Sequence, residues 1–331
     1  MEIKQYYIFF ICLWPFTLNA AGVLKGEDIF EPKNSWFDAK KVQRFRPYGV
    51  NSAVWNFREG DDDALQADYS FLYTIYDCRV RHSSSKEGNT ELKSTEGSWS
   101  DCGDDALVKP LVFVSYTGQF DFYLSTRPSS PVINRLSNPA IHFFNIVSKD
   151  KYINYFDISF EHRSNGQTRE IDEFDSSGLK TETAYLSGDY RYFDEISRGS
   201  NYFKLAVGND KSIESISLNW RLSIKAYVTD DTEVNWGEWV NSSTSIKDYD
   251  IVRASISVSP FIFSGLTFTS SYVFGKELLK TDSFDWSIIY PLEGWGVSIP
   301  LMVKGHHGPM ATLSNYTKSV SSLGVGFAFY W

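Results

Sequence analysis

Period-two alternation, repeated along most of the chain, is the feature that most narrows its fold. Asp157-Ile158-Ser159-Phe160-Glu161-His162-Arg163-Ser164 is the clearest instance. Ile158, Phe160, His162 and Ser164 fall on one face, and Asp157, Ser159, Glu161 and Arg163 on the other. A β-strand places successive side chains on opposite faces in this way. Comparable segments lie near Tyr48–Phe57, Asp68–Tyr76, Leu111–Tyr123, Pro139–Val147, Tyr152–Ser164 and Asn201–Gly208. Six more follow near Ile213–Val228, Ile251–Phe263, Leu266–Phe274, Phe284–Leu292, Gly296–Val303 and Ser321–Trp331. Twelve is an even number, and each segment is near the roughly 9–11 residues that a tilted strand needs to cross hydrocarbon.

The connections alternate in length. Residues 148–151, 209–211 and 264–265 form short turns, whereas 124–138, 165–200, 229–250, 275–283 and 304–320 are longer and polar. Short periplasmic turns and long outer loops are the expected asymmetry of outer-membrane barrels. Aromatic residues are abundant (25 Phe, 20 Tyr, 10 Trp), as interfacial girdles require, and the chain ends on a strand closing with Trp331. The expected fold is therefore all-β, a transmembrane antiparallel β-barrel of twelve strands. A soluble β-sandwich also uses short alternating strands; the loop asymmetry and the terminal aromatic strand favour the barrel.

Lys4 followed by the apolar run from Tyr6 to Phe16 and the small residues Ala20-Ala21-Gly22 reads as a secretory signal peptide over residues 1–21. A polar lead-in over 22–46 precedes the barrel at 47–331. Cys12 leaves with the signal, so that Cys78 and Cys102 remain, consistent with one disulfide in an oxidising compartment. Both lie in the connection 77–110, which is long and polar on the side where turns are otherwise short. The net charge of -9, with no basic stripe to offset it, argues against nucleic acid as a partner.

On the alternating segment His162 and Ser164 share the apolar face, about 6–7 Å apart between Cα atoms. A base and a hydroxyl on a hydrophobic wall suit a substrate that is itself the apolar phase. The next strand carries Asn201, Phe203, Leu205 and Val207 on its apolar face, so Asn201 lies at the same end of the wall. An amide oxygen there can orient an imidazole without placing a full charge against lipid. His142, among aromatics, reads as structural, and His82 and His306-His307 fall in loops.

His162-Arg163-Ser164-Asn165-Gly166, followed by Ser197-Arg198-Gly199-Ser200-Asn201, resembles the bacterial outer-membrane phospholipase A family. The resemblance runs from about Pro47 to the end and is dense at these two motifs. It implies a twelve-stranded barrel in the bacterial outer membrane that hydrolyses membrane phospholipids, uses calcium and acts as a homodimer. It implies Ser164 as nucleophile, His162 as general base, Asn201 as its orienter and the Gly166 N–H as oxyanion donor. Ser197 and the backbone carbonyl of Gln167 match calcium ligands, with Ser130 as the candidate ligand from the partner subunit. Gln167 stands where the family has arginine, and Gly118 stands where it has a glutamine at the dimer interface, Gln119 falling on the opposite face. The loop from Gln167 to Arg198 is longer than in familiar members and rich in acids. The alternative is a non-catalytic barrel, porin-like or structural.

Overall fold

The computed structural model describes residues 44–78, 109–147, 152–167, 179–213, 216–230, 245–260, 265–294 and 297–329. The expected signal peptide, residues 22–43 of the lead-in, His82, Cys102, the acidic run Glu170–Asp175 and the terminal Trp331 lie outside them. The strands are β1 (Phe45–Pro47), β2 (Asn51–Arg58), β3 (Ala64–Asp77), β4 (Lys109–Phe122), β5 (Val132–Ile146), β6 (Tyr155–Ser164) and β7 (Gly199–Ile213). They continue as β8 (Ile216–Asp230), β9 (Val252–Pro260), β10 (Thr267–Phe274), β11 (Ser283–Gly294), β12 (Val297–Gly308) and β13 (Val320–Phe329). Two helices, α1 (Leu179–Ser187) and α2 (Tyr190–Phe193), lie between β6 and β7.

From β2 to β13 each strand pairs antiparallel with its chain neighbours, and β13 pairs with β2, closing a ring of twelve. Closure leaves no unpaired edge, as hydrocarbon demands of any strand that enters it. β1 continues the line of β2 along β3, setting Phe45 opposite Tyr73 where β2 sets Ser52 opposite Asp68. Among the described residues no helix is long and apolar enough to cross a membrane, so the crossing is made by strands.

The alternation read from the sequence sorts the side chains as expected. Ile158, Phe160, Phe203 and Leu205 are exposed on the outer wall. Asp157 and Glu161 are buried inside, paired with Arg221 at 2.7 Å and with Lys204. At the turn end of the interior Leu72, Leu111, Phe113, Phe144, Ile146 and Tyr155 pack into an apolar plug. At the loop end a cap is built from three separate connections: Ala184, Phe193 and Ile196, then Ile246 and Tyr249, then Met310, Leu313 and Tyr316. Part of the 165–200 segment, read as a long polar connection, is thus helical and packed. Between plug and cap lies a cavity of about 340 Å³ lined by Arg58, Arg135, Arg163, Arg253 and Asp285 among others.

Three strands run further than the alternation indicates, β5 and β12 at the loop end and β7 at the turn end. β5 begins at Val132, although Pro131, Pro139 and the intervening polar residues read as loop. β7 runs on to Ile213 and β12 to Gly308, so His306 and His307 are strand residues. His306 Nδ1 is 2.7 Å from Asp285, and His307 Nδ1 is 3.0 Å from Ser321 Oγ.

Candidate active site

β6 and β7 are antiparallel with His162 directly opposite Asn201, and Ser164 opposite Gly199. The pair continues the column of the exposed Phe160 and Phe203, whose rings lie 5.1 Å apart on the outer face. His162 Nδ1 and Asn201 Oδ1 are 2.9 Å apart. An amide oxygen only accepts, so this bond places the proton on Nδ1 and leaves Nε2 as an acceptor. The main chain beneath the ring is held from the other side, where Asn138 Nδ2 donates to the His162 carbonyl at 2.8 Å. Ser164 is next along the same face. Among the described residues its Oγ makes no hydrogen bond, so the structure joins histidine to asparagine and sets the serine beside them without closing the third contact.

Past Ser164 the chain is pinned by Asn165, a residue whose role the motif did not disclose. Its N–H donates to the Arg198 carbonyl at 3.1 Å, and its Oδ1 accepts from the Arg198 N–H at 2.9 Å. Its Nδ2 donates to the Ile196 carbonyl at 2.7 Å. These three bonds straddle Ser197, so the segments carrying Gly166-Gln167 and Ser197 are laced together. Gly166 adopts φ 63°, a left-handed conformation, and a Cβ there would come within 2.5 Å of Asn134 Nδ2. The left-handed turn favours glycine, and a Cβ there would also displace the Asn134 amide. Its N–H has no acceptor among the described residues.

The loop bearing Ser197 is also fixed from below. Asp194 accepts from Arg127 at 2.6 Å and pairs with Arg135, while Asp121 accepts from Arg135 at 2.6 Å and from Arg58 at 2.9 Å. Arg127 reaches Asp61 at 2.6 Å as well. Three loop-end connections therefore share one buried network of arginines and aspartates. Burial opposes the ionisation of Asp61, but the neighbouring Arg58, Arg135 and Arg127 charges outweigh it and hold its carboxyl below the usual range.

The remaining candidates sort as follows. Ser130 is exposed in the β4–β5 connection at φ 43°, its Oγ accepting from the Ser125 N–H at 3.1 Å. Cys78 is disulfide-bonded. His142 is fully buried and stacks on Phe113 at 4.3 Å, consistent with a structural role. Gly118 leaves room for the Tyr69 ring, which a Cβ would strike; Gln119 turns inward to Asp68 at 2.7 Å. Among the described residues no group of three or more His, Cys, Asp or Glu side chains gathers as a metal site.

No family model matches the sequence, and no curated protein matches it. Solved structures do match. Outer membrane phospholipase A from Escherichia coli aligns with a TM-score of 0.52 at 12% identity, over 87% of this chain and 98% of that one. The fold is that of outer membrane phospholipase A. An active-site mutant of the Escherichia coli protein, asparagine to alanine, gives a TM-score of 0.54 at 12% identity, covering 88% and 94%. The Salmonella typhi outer membrane phospholipase, a dimer with bound calcium, gives 0.52 at 10% identity over 88% and 94%. What the chain shares with these phospholipases at such low identity is the closed barrel, of the kind found in the bacterial outer membrane.

Proposed function

We propose that the protein is a calcium-dependent outer-membrane phospholipase that hydrolyses acyl esters of glycerophospholipids through Ser164, His162 and Asn201. The observation that carries the reading is the 2.9 Å bond between His162 Nδ1 and Asn201 Oδ1 on the lipid-facing wall, with Ser164 on the same face. An imidazole held in that tautomer presents Nε2 as a base beside a hydroxyl. Ser164 Oγ attacks the ester carbonyl while its proton passes to Nε2, and the carbonyl electrons move onto the oxygen. Collapse expels the glycerol-side alkoxide, which takes the proton from Nε2 and leaves an acyl-serine. Water, deprotonated by the same nitrogen, then releases the fatty acid and restores Ser164. The Gly166 N–H is free to receive the developing oxyanion.

The residues present fit calcium. Ser197 and the Gln167 carbonyl supply neutral hard oxygens from two segments that Asn165 holds together, and calcium takes such ligands. When bound, the ion would add positive charge near the oxyanion. Action as a homodimer belongs to the same reading, with Ser130 reaching the partner's site. The Salmonella protein crystallised as a calcium-bound dimer, and an asparagine in the Escherichia coli protein is described as an active-site residue. The porin alternative meets an interior plugged at one end by Phe113 and its neighbours and capped at the other.

The test is acyl release from phospholipid vesicles by the purified protein, with calcium and with a chelator, alongside Ser164→Ala. A lipophilic sulfonyl fluoride should label Ser164 and stop the reaction. Release that persists in the Ser164→Ala protein would remove the site assignment, and absence of any release would remove the enzymatic reading.

A further inference from the structure

Asn134 lies against the candidate oxyanion site, and nothing in the sequence motifs marks it. It reaches that place through a register irregularity. On β4 and β5, Gln119 pairs with Leu136 but Phe120 pairs with Asn134, so one extra residue sits on the β5 side. A bulge of this kind shifts the inside–outside alternation by one. Arg135 and Leu136 both serve the interior, Arg135 by its pairs with Asp121 and Asp194 and Leu136 by lining the lumen cavity. Asn134 consequently shares the outer face with Phe120, whose ring stacks on Tyr69 at 5.6 Å. Without the bulge it would point inward.

On the other side of β5, Ser137 pairs with Ser164. The chain beyond Ser164 therefore runs beside the residues that precede Ser137, and Gln167 Nε2 reaches the Asn134 carbonyl at 3.4 Å. Asn134 Nδ2 and Gly166 touch, as the 2.5 Å approach to a notional Cβ records. Among the described residues neither Asn134 Nδ2 nor the Gly166 N–H donates to anything. Asn134 Oδ1 is buried without a partner, so no structural hydrogen bond claims either end of the amide. A polar group left unused in this way requires an explanation, and a catalytic role is one.

We infer that Asn134 is a further catalytic residue, its carboxamide N–H acting beside the Gly166 N–H as the second donor to the oxyanion formed when Ser164 attacks an ester. The inference rests on the phospholipase reading. A single backbone donor is a sparse oxyanion hole, and a second one fixed by a bulge is preorganised at no conformational cost during the reaction. The isosteric Asn134→Asp replaces the donor with an acceptor, and Asn134→Ala removes it. Each should lower kcat roughly 10²- to 10³-fold, the usual effect of losing one oxyanion donor, with KM and the half-saturating calcium concentration unchanged. Folding of each variant is checked by the mobility of the unheated barrel on a gel.

If Asn134→Asp keeps kcat within roughly threefold of wild type, the donor role is overturned. It is equally overturned if the loss falls on KM, or if the calcium requirement shifts, since a metal contact would tolerate or favour the carboxylate. Wild-type protein assayed in parallel separates the two levels. Where its Ser164-dependent acyl release is present, only the role of Asn134 is at stake; where that release is absent, the phospholipase reading fails and this inference falls with it.

Discussion

The barrel wall carries two groupings of a serine, a histidine and an acceptor, one on each face. Inside, Ser115 Oγ lies 2.9 Å from His142 Nε2, His142 Nδ1 lies 3.1 Å from Asp157, and Asp157 accepts from Arg221 at 2.7 Å. Outside, His162 meets Asn201 at 2.9 Å and Ser164 stands unbonded beside them. By connectivity alone the inner grouping is the more complete triad. It is also sealed: Ser115, His142 and Asp157 are 6%, 0% and 1% exposed, with the Phe113 ring stacked on the imidazole. No ester reaches that hydroxyl without unfolding the wall. The choice of acceptor follows the face. Inside, a carboxylate is offset by Arg221; on the lipid side a charge is destabilising, and the acceptor there is a neutral amide. On the proposed reading, access and the chemistry of the acceptor, rather than a closed chain of hydrogen bonds, set the outer grouping apart from the sealed inner one.

The comparison is broken most directly by exchanging the two hydroxyls. Ser164→Ala should lower acyl release by roughly 10⁴-fold or more, since loss of a nucleophile removes the covalent route. Ser115→Ala should leave kcat at the wild-type value and cost only about 1 kcal/mol of stability, the net worth of one hydrogen bond. Matched activity assays on vesicles decide it: a large loss in the Ser115 variant would move the chemistry indoors. Next in size is the inner acceptor. Asp157→Ala strands Arg221 beside a fully buried imidazole and should destabilise the barrel by about 3–5 kcal/mol. Urea unfolding in detergent measures this, and a cost below about 1 kcal/mol would mean that water already compensates the pair.

The outer grouping was legible in the sequence because β6 and β7 are hairpin neighbours with unbroken alternation, so that His162 and Asn201 share a face by counting. Twelve strands were countable for the same reason. What escaped reading depends on breaks in that periodicity or on distant segments meeting. The bulge at Arg135 and Leu136 places two consecutive side chains inside, and with Pro131, Asn134, Ser137, Asn138 and Pro139 around it β5 reads as loop over Val132–Asn138. Asn134 therefore had no visible face. His306 looked like a loop residue because Gly305 and Gly308 flank the pair, whereas its partner Asp285 comes from the adjacent strand β11. The cap joins Phe193, Tyr249 and Leu313, residues whose proximity only the closed barrel creates. Asn165 stood in the motif in plain view, yet its three bonds to residues 196–198 needed the return of the chain to become visible.

A smaller effect sharpens the contrast between acceptors. Asn201→Ala should slow the reaction roughly tenfold, because a neutral hydrogen bond contributes about 1 kcal/mol. Asn201→Asp supplies a stronger acceptor for the imidazole but sets a charge against lipid. If the aspartate variant exceeded wild type in both folding yield and kcat, avoidance of charge would not be the reason for the amide.

The smallest effect concerns acid, which reaches the two regions differently because the outer grouping contains no carboxylate. Asp61 and Asp250, in the connections at the loop end, are buried, and burial alone would raise them. Arg58, Arg135 and Arg127 around Asp61, and Lys225, Arg253 and Arg163 around Asp250, prevail and hold both below the usual carboxylate range. A depressed folded-state value stabilises the fold above the unfolded value, about 3.9 for aspartate, and that stabilisation is lost as pH falls toward the folded one. Thermal unfolding of the detergent-solubilised protein should thus give the same Tm at pH 7 and pH 5 and a falling Tm only below about pH 4. In Asp250→Asn that acid-dependent fall should be shallower, because one of the groups that titrate there is gone. A fall already present between pH 7 and pH 5 would show that groups other than these buried aspartates set the acid limit of the fold.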